Sequence, residues 1–165
     1  MRRRTVSTKE IVRDAVYKAT MLLDEQKWND WLDCCDESFE YSITAWSPEI
    51  NYDMTYMSAN KSDLAHLIEL LPKHNTDHSP LHRHTTVYSI EPSSDNKTAT
   101  ALSSVIIYQN LYDGTNSHID AGDSRLFLIG RYVDTLKIEN GTGIFLKREL
   151  KLENRRLDKG SHWPL

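Results

Sequence analysis

Cysteine is nearly absent from this chain: two residues in 165, and those two, Cys34 and Cys35, are neighbours. Adjacent cysteines rarely bridge each other, so no disulfide framework is available, and a reducing cytoplasm is the expected setting. Glycine is also scarce, with 6 residues, and none is arranged as a phosphate-binding loop or a serine-nucleophile elbow. No apolar run approaches the length of a membrane span. The basic start Arg2-Arg3-Arg4 is not followed by an apolar stretch, so it does not read as a signal peptide. An excess of positive charge is missing too. Lys and Arg number 20 against 24 Asp and Glu, a net charge of −4, which gives no support to a nucleic-acid partner.

What is present suits one soluble domain with a sizeable core. Residues 1–165 read as a single domain, with 1–6 a flexible N-terminus and 153–165 an extended tail. Ser7-Thr-Lys-Glu10 is a capping box, and Ile11, Val12, Ala15, Val16, Ala19, Leu22 and Leu23 recur at helical spacing to about Glu25. Trp28, Trp31, Leu32 and Cys35 predict a second, short helix. Ser38 to Trp46 alternates as a strand, and Ile50 to Met57 reads equally as loop or short edge strand. Asn60 caps a third helix with the stripe Leu64, Leu67, Ile68 and Leu71, and Pro72 is expected to stop it. Strands follow at His84–Ile90, Thr98–Tyr112, Ser124–Ile138 and Ile144–Leu152. The last two form a long hairpin about Asn140-Gly141, a pair that tolerates positive φ. Gly130 marks a point where its first strand can bulge or bend. Leu126, Leu128, Tyr132, Leu136 and Ile138 form its main stripe on the first strand; Ile144, Leu146, Leu150 and Leu152 form it on the second. Phe127, Ile129, Val133 and Phe145 fall on the opposite face, where apolar residues point to a partner. Helices early and strands late predict an α+β fold: three helices packed on a strongly curved, mostly antiparallel sheet, a cone with an interior.

Candidate chemistry is thin. His74, His78, His82 and His84 cluster with Asp77 and carry groups able to ligate zinc or iron. Pro72 and Pro80 flank the loop, however, so no ligand spacing is established and no metal residues are assigned. A Rieske cluster needs two Cys–His pairs, which Cys34-Cys35 cannot supply. A stand-alone isomerase or dehydratase would use His84, Asp30 and Tyr41 as acid–base groups, with Asp33 and Tyr108 as pocket neighbours. A small-ligand binding module is a third reading, since one cone hosts all of these.

Four ordered stretches carry a family likeness: Leu22-Leu-Asp-Glu-Gln-Lys-Trp-Asn-Asp-Trp31, Ser79-Pro-Leu-His-Arg-His84, Gly130-Arg-Tyr-Val-Asp-Thr-Leu136 and Phe145-Leu-Lys-Arg-Glu-Leu-Lys-Leu152. Together they resemble the small, β subunit of the Rieske non-haem iron ring-hydroxylating oxygenases. The resemblance implies the cone-shaped, nuclear-transport-factor-2-like (cystatin-like) fold and a non-catalytic structural role. It implies no cofactor in this chain. The Rieske two-iron, two-sulfur cluster and the mononuclear iron belong to a large, α subunit, and three large and three small subunits form a hexamer around a trimer of this chain. Phe127, Ile129, Arg131, Phe145 and Trp163 are the expected contact residues. The histidine-rich Lys73–His84 loop departs from many aromatic-ring members and leaves the substrate class open.

Overall fold

The computed structural model describes residues 6–74, 78–112, 117–155, 157 and 163–165. Helix α1 (Thr8–Asp24) begins where expected. The Glu10 amide donates to Ser7 Oγ at 3.2 Å, and the Ser7 amide donates to Glu10 Oε2 at 2.8 Å. This reciprocal box satisfies two amides that a helix start otherwise leaves unpaired. Val12, Val16, Ala19 and Leu23 form its buried stripe, and α2 (Trp28–Asp33) buries Trp31 and Leu32. Helix α3 (Lys61–His74) starts on a second reciprocal pair between Asn60 and Asp63. Contrary to expectation, it runs two residues past Pro72. Pro72 lacks the N–H that would bond the Ile68 carbonyl and its ring crowds that carbonyl, so the helix continues for only two further residues.

The strands are β1 (Cys35–Ser47), β2 (Tyr52–Asn60), β3 (Leu81–Pro92), β4 (Thr98–Asn110), β5 (Ser124–Glu139) and β6 (Thr142–Leu152), with a one-turn helix α4 (Ser117–Asp120) before β5. They form one sheet in the order β2-β1-β6-β5-β4-β3, in which only the β1–β6 pair is parallel. The ambiguous stretch around Ile50–Met57 is thus mostly the edge strand β2. Helix α1 packs on β3 to β6, and α3 packs on β1 and β2. Helices and curved sheet enclose the cone predicted from the sequence. No helix among the described residues is long and apolar enough to cross a membrane. The expected flexible start and much of the expected tail, residues 1–5, 156 and 158–162, lie outside the described residues, as does Asp77.

Every antiparallel pair carries one register shift, and each inserts a bend that curves the sheet. Two of these shifts revise the expected faces. In β5, Ile107 pairs with Leu128 and Tyr108 with Leu126, which leaves Phe127 as the extra residue. Phe127 turns into the core, while Leu126 is 47% exposed. In β6, Leu136 pairs with Phe145 and Thr135 with Lys147, so Leu146 is the extra residue. Before it Gly143 and Phe145 point inward; after it Arg148, Leu150 and Leu152 do. The outward placement of Phe127 and Phe145 is therefore corrected: both are core residues, Phe145 only 1% exposed.

Gly130 is not the bulge. A Cβ there would lie 2.6 Å from the Lys151 carbonyl oxygen and 3.1 Å from Leu150 Cδ1. Its hydrogen is what lets β6 lie close. Gly130→Ala should cost about 1–3 kcal/mol, as overpacking does, read as a lowered urea midpoint; an unchanged midpoint would show that the strands separate freely there. At the hairpin tip Asn140 and Gly141 have φ of 52° and 75°, the turn that the dipeptide predicts.

Candidate functional site: the cone interior

The inner face of the sheet carries charge where apolar residues are the rule. Asp134 of β5 and Arg148 of β6 are directly paired across the strands. Arg148 Nε donates to Asp134 Oδ1 at 2.8 Å, and Nη2 donates to Oδ2 at 2.9 Å. The two side chains are 0% and 1% exposed. The guanidinium carbon sits 3.9 Å from the centre of the Tyr132 ring and 4.9 Å from that of Phe145. Burial opposes the charge on Arg148 more than any other single influence. The Asp134 carboxylate, through its charge and its hydrogen bonds, outweighs it and holds the guanidinium firmly protonated. A fork-shaped, two-bond pair between aromatic faces is the arrangement in which a buried guanidinium is best accommodated.

A second pair ties α1 to β3. Asp24, the last residue of α1, accepts from Arg83 Nη1 at 2.8 Å and from the Arg83 backbone amide at 3.1 Å. The exposed His82 ring approaches the same carboxylate from outside, with Nδ1 3.4 Å from Oδ2. Arg83 Nη2 donates 2.7 Å to the Pro164 carbonyl. Tyr41 completes the contact: its hydroxyl donates to the Leu165 oxygen at 3.1 Å and accepts from the Leu165 amide at 3.0 Å. Burial raises the Tyr41 phenol well above its ordinary range, so it stays protonated. Trp163 packs edge-on against Trp28, ring centres 5.8 Å apart, and Leu165 is fully buried. The segment Trp163–Leu165 therefore lies inside its own cone.

The residues singled out from the sequence are dispersed. Tyr41 faces inward. Asp30 and Asp33 are exposed on α2, and His84 is exposed on the outer face of β3, its ring against His82 and Tyr108 at 5.0 and 5.9 Å. The structure does not bring His84, Asp30 and Tyr41 into one pocket. Of the expected contact residues, Ile129 is half-buried on the outer face, and exposed Arg131 pairs with Glu153 at 2.6 Å. Trp163 is half-buried against its own chain. Sequence reasoning missed Asp134, Arg148, Arg83 and Asp24 as a working set. A signal existed: Asp134 and Arg148 each interrupt an apolar stripe, with opposite charge, on the two strands of one hairpin.

A SnoaL-like domain model matches residues 4–148. Over 156 residues the chain is 62% identical to the methanesulfonate monooxygenase hydroxylase β subunit of Methylosulfonomonas methylovora, covering 94% of this chain and 86% of that one. The chain belongs to the SnoaL-like family, among the β subunits of multicomponent oxygenases. It is also 28% identical over 156 residues to the 2-aminobenzenesulfonate 2,3-dioxygenase β subunit of an Alcaligenes species, covering 93% and 97% of the two chains. The benzoate 1,2-dioxygenase β subunit of Burkholderia mallei shares the fold, with a TM-score of 0.67 at 13% identity over 92% of this chain and 94% of that one. In this oxygenase β subunit the cysteines do not fit a Rieske cluster. Cys34 and Cys35 hydrogen-bond to helix carbonyls of Asp30 and Trp31, and burial pushes the Cys35 thiol up to about 12, away from the thiolate a metal needs. Among the described residues no group of three or more His, Cys, Asp or Glu is placed to hold a metal ion.

Proposed function

We propose that this chain is the structural, non-catalytic β subunit of a methanesulfonate monooxygenase hydroxylase. It packs against and stabilises a larger α subunit that carries the Rieske cluster and the mononuclear iron, in a cytoplasmic hexamer of three large and three small subunits built around a trimer of this chain. The observation that carries the reading is the 62% identity over nearly the whole chain. Two features of the molecule support it. The inward acid, base and hydroxyl groups Asp24, Arg83, Asp134, Arg148 and Tyr41 are engaged in holding the cone together. The outer sheet face keeps an apolar centre, where Leu102 pairs with Val133 and Ile106 with Ile129, all half-exposed. Such a face suits a partner. Ile129 and Arg131 keep their place in the proposed contact, joined by Leu102, Ile106 and Val133 in place of the two buried phenylalanines.

Co-expression with a Rieske-type α subunit of a methanesulfonate monooxygenase hydroxylase, followed by sedimentation, tests this. The wild type is expected to sediment as a complex with both chains in equal number. Ile129→Glu with Val133→Glu should leave a folded small subunit that fails to assemble, because outward substitutions there spare the core. A monomer that ignores the Rieske-type protein yet turns over a small substrate alone would overturn the proposal and restore the isomerase or dehydratase reading.

A further inference from the structure

Among the described residues, four buried side-chain polar atoms have no hydrogen-bond partner: Arg83 Nε, Arg148 Nη1, Ser103 Oγ and the Tyr132 hydroxyl. Buried polar groups are normally satisfied, so a cluster of orphans points to something that belongs among them. Guanidinium nitrogens only donate, and hydroxyls can donate as well as accept, so the interior offers surplus donors to an acceptor. These groups share one space. Ser103 and Tyr132 are direct cross-strand partners, the Arg148 guanidinium lies 3.9 Å from the Tyr132 ring centre, Arg148 pairs across the strands with Tyr41, and Tyr41 and Arg83 bond to the consecutive residues Leu165 and Pro164.

The donors that are satisfied show what shape of acceptor the space takes. Arg83 Nη2 and the Tyr41 hydroxyl are both met by oxygens of the chain's own segment, those of Pro164 and Leu165. The Leu165 side chain is 0% exposed. Seen from the cone, the occupant is a pair of oxygens carried on a branched alkyl body. Asp24 and Asp134 already balance the two arginines, yet among the described residues both guanidiniums keep an unpaired N–H for a further oxygen.

We propose that the cone interior is a binding site for a small organic oxyanion, a carboxylate or sulfonate on a short branched alkyl body, and that Trp163–Leu165 occupies it as an intramolecular ligand. The oxyanion takes Arg83 Nη2 and the Tyr41 hydroxyl in place of the two backbone oxygens and reaches the orphaned Arg83 Nε. Its alkyl body takes the space of the Leu165 side chain. Competition by the segment lowers the apparent affinity by the fraction of molecules in which the site is vacant. The inference needs only the isolated chain and stands apart from the subunit assignment.

Calorimetric titration of the full chain decides it, with two probes: 4-methylpentanoate, which joins the leucine side chain to a carboxylate, and 3-methylbutane-1-sulfonate. Trp163→Ala combined with Leu165→Ala should bind at least one of them about ten-fold more tightly than the wild type. Adding Tyr41→Phe or Arg83→Gln should reverse that gain by about ten-fold or more. In the wild type, saturating probe should shift tryptophan emission as Trp163 leaves Trp28. Tighter binding of either head group supports the site and identifies its oxyanion. If the double variant melts cooperatively but gives no heat with either probe up to about 10 mM, the orphans are met by water and the proposal is wrong. Binding that ignores Tyr41→Phe overturns it equally. Tyr41→Phe keeps the ring and its packing, so it decides the matter even if Arg83→Gln fails to fold.

Discussion

Asp134→Ala is expected to cost about 3–5 kcal/mol, a large part of the stability of a domain this size. The loss does not measure the worth of the ion pair. It arises because Arg148, with no exposed side-chain surface to speak of, keeps a charge that neither water nor a carboxylate then solvates. The control is the double replacement Asp134→Leu with Arg148→Met. Tyr132 and Phe145 already flank the guanidinium with apolar surface, so two apolar side chains should recover most of the loss, as replaced buried pairs often do. Urea unfolding of wild type, single and double variants gives the three free energies. A single variant within about 1 kcal/mol of wild type, or a double variant less stable than the single, would show that water reaches the pair and that the interior is not as dry as its burial implies.

The second large effect tests the bulge in β6. Phe145→Ala should cost about 3–5 kcal/mol and Leu150→Ala about 2–5, because both side chains are completely enclosed. Leu146→Ala should cost clearly less than either, since Leu146 is the extra residue and keeps part of its surface in solvent. Lys147→Ala and Lys151→Ala, on the exposed side, should stay within about 0.5 kcal/mol. In an unbroken strand that kept Leu150 inward, Leu146 would face the core in place of Phe145, and the order of the two would invert. Thermal or urea melts of these five variants therefore read out the register of the strand. If Leu146→Ala proved the costlier of the two, the strand would run in unbroken alternation and Phe145 would face outward.

The conflict that forces this bulge is visible in the chain. A two-residue turn at Asn140-Gly141 sets Glu139 opposite Thr142 and Ile138 opposite Gly143, so even positions of β5 face odd positions of β6. Yet the apolar stripe of β5 (Leu128, Tyr132, Leu136) and the far part of that of β6 (Leu150, Leu152) both sit on even positions. Both stripes can point inward only if one residue is inserted between them, and one is. Read alone, each strand alternates plausibly; read together across the turn, they demand an irregularity. The same step sets Asp134 opposite Arg148 instead of Lys147, so the guanidinium and not the lysine shares the inner face with the carboxylate.

Local interactions account for what the sequence by itself determined. Capping boxes at Ser7 and Asn60, the helical stripe of α1, the Asn140-Gly141 turn and the alternation within each strand depend on neighbours a few residues apart, and together they specify an α+β cone with its elements in order. Four ordered stretches were enough to indicate the oxygenase β-subunit family. Only the tertiary structure decided where the bulges fall, because a bulge is chosen by the fit of one strand to another and to the helices beneath it. It alone decided that Phe127 and Phe145 go inside, that β2 pairs as an edge strand, and that Arg83 joins Asp24 across 59 positions of sequence. It also decided that Trp163–Leu165 enters the cone to meet Tyr41, 124 positions away. No local propensity encodes such contacts. They form because donors buried by the fold must find acceptors, and the nearest acceptors in space are remote along the chain.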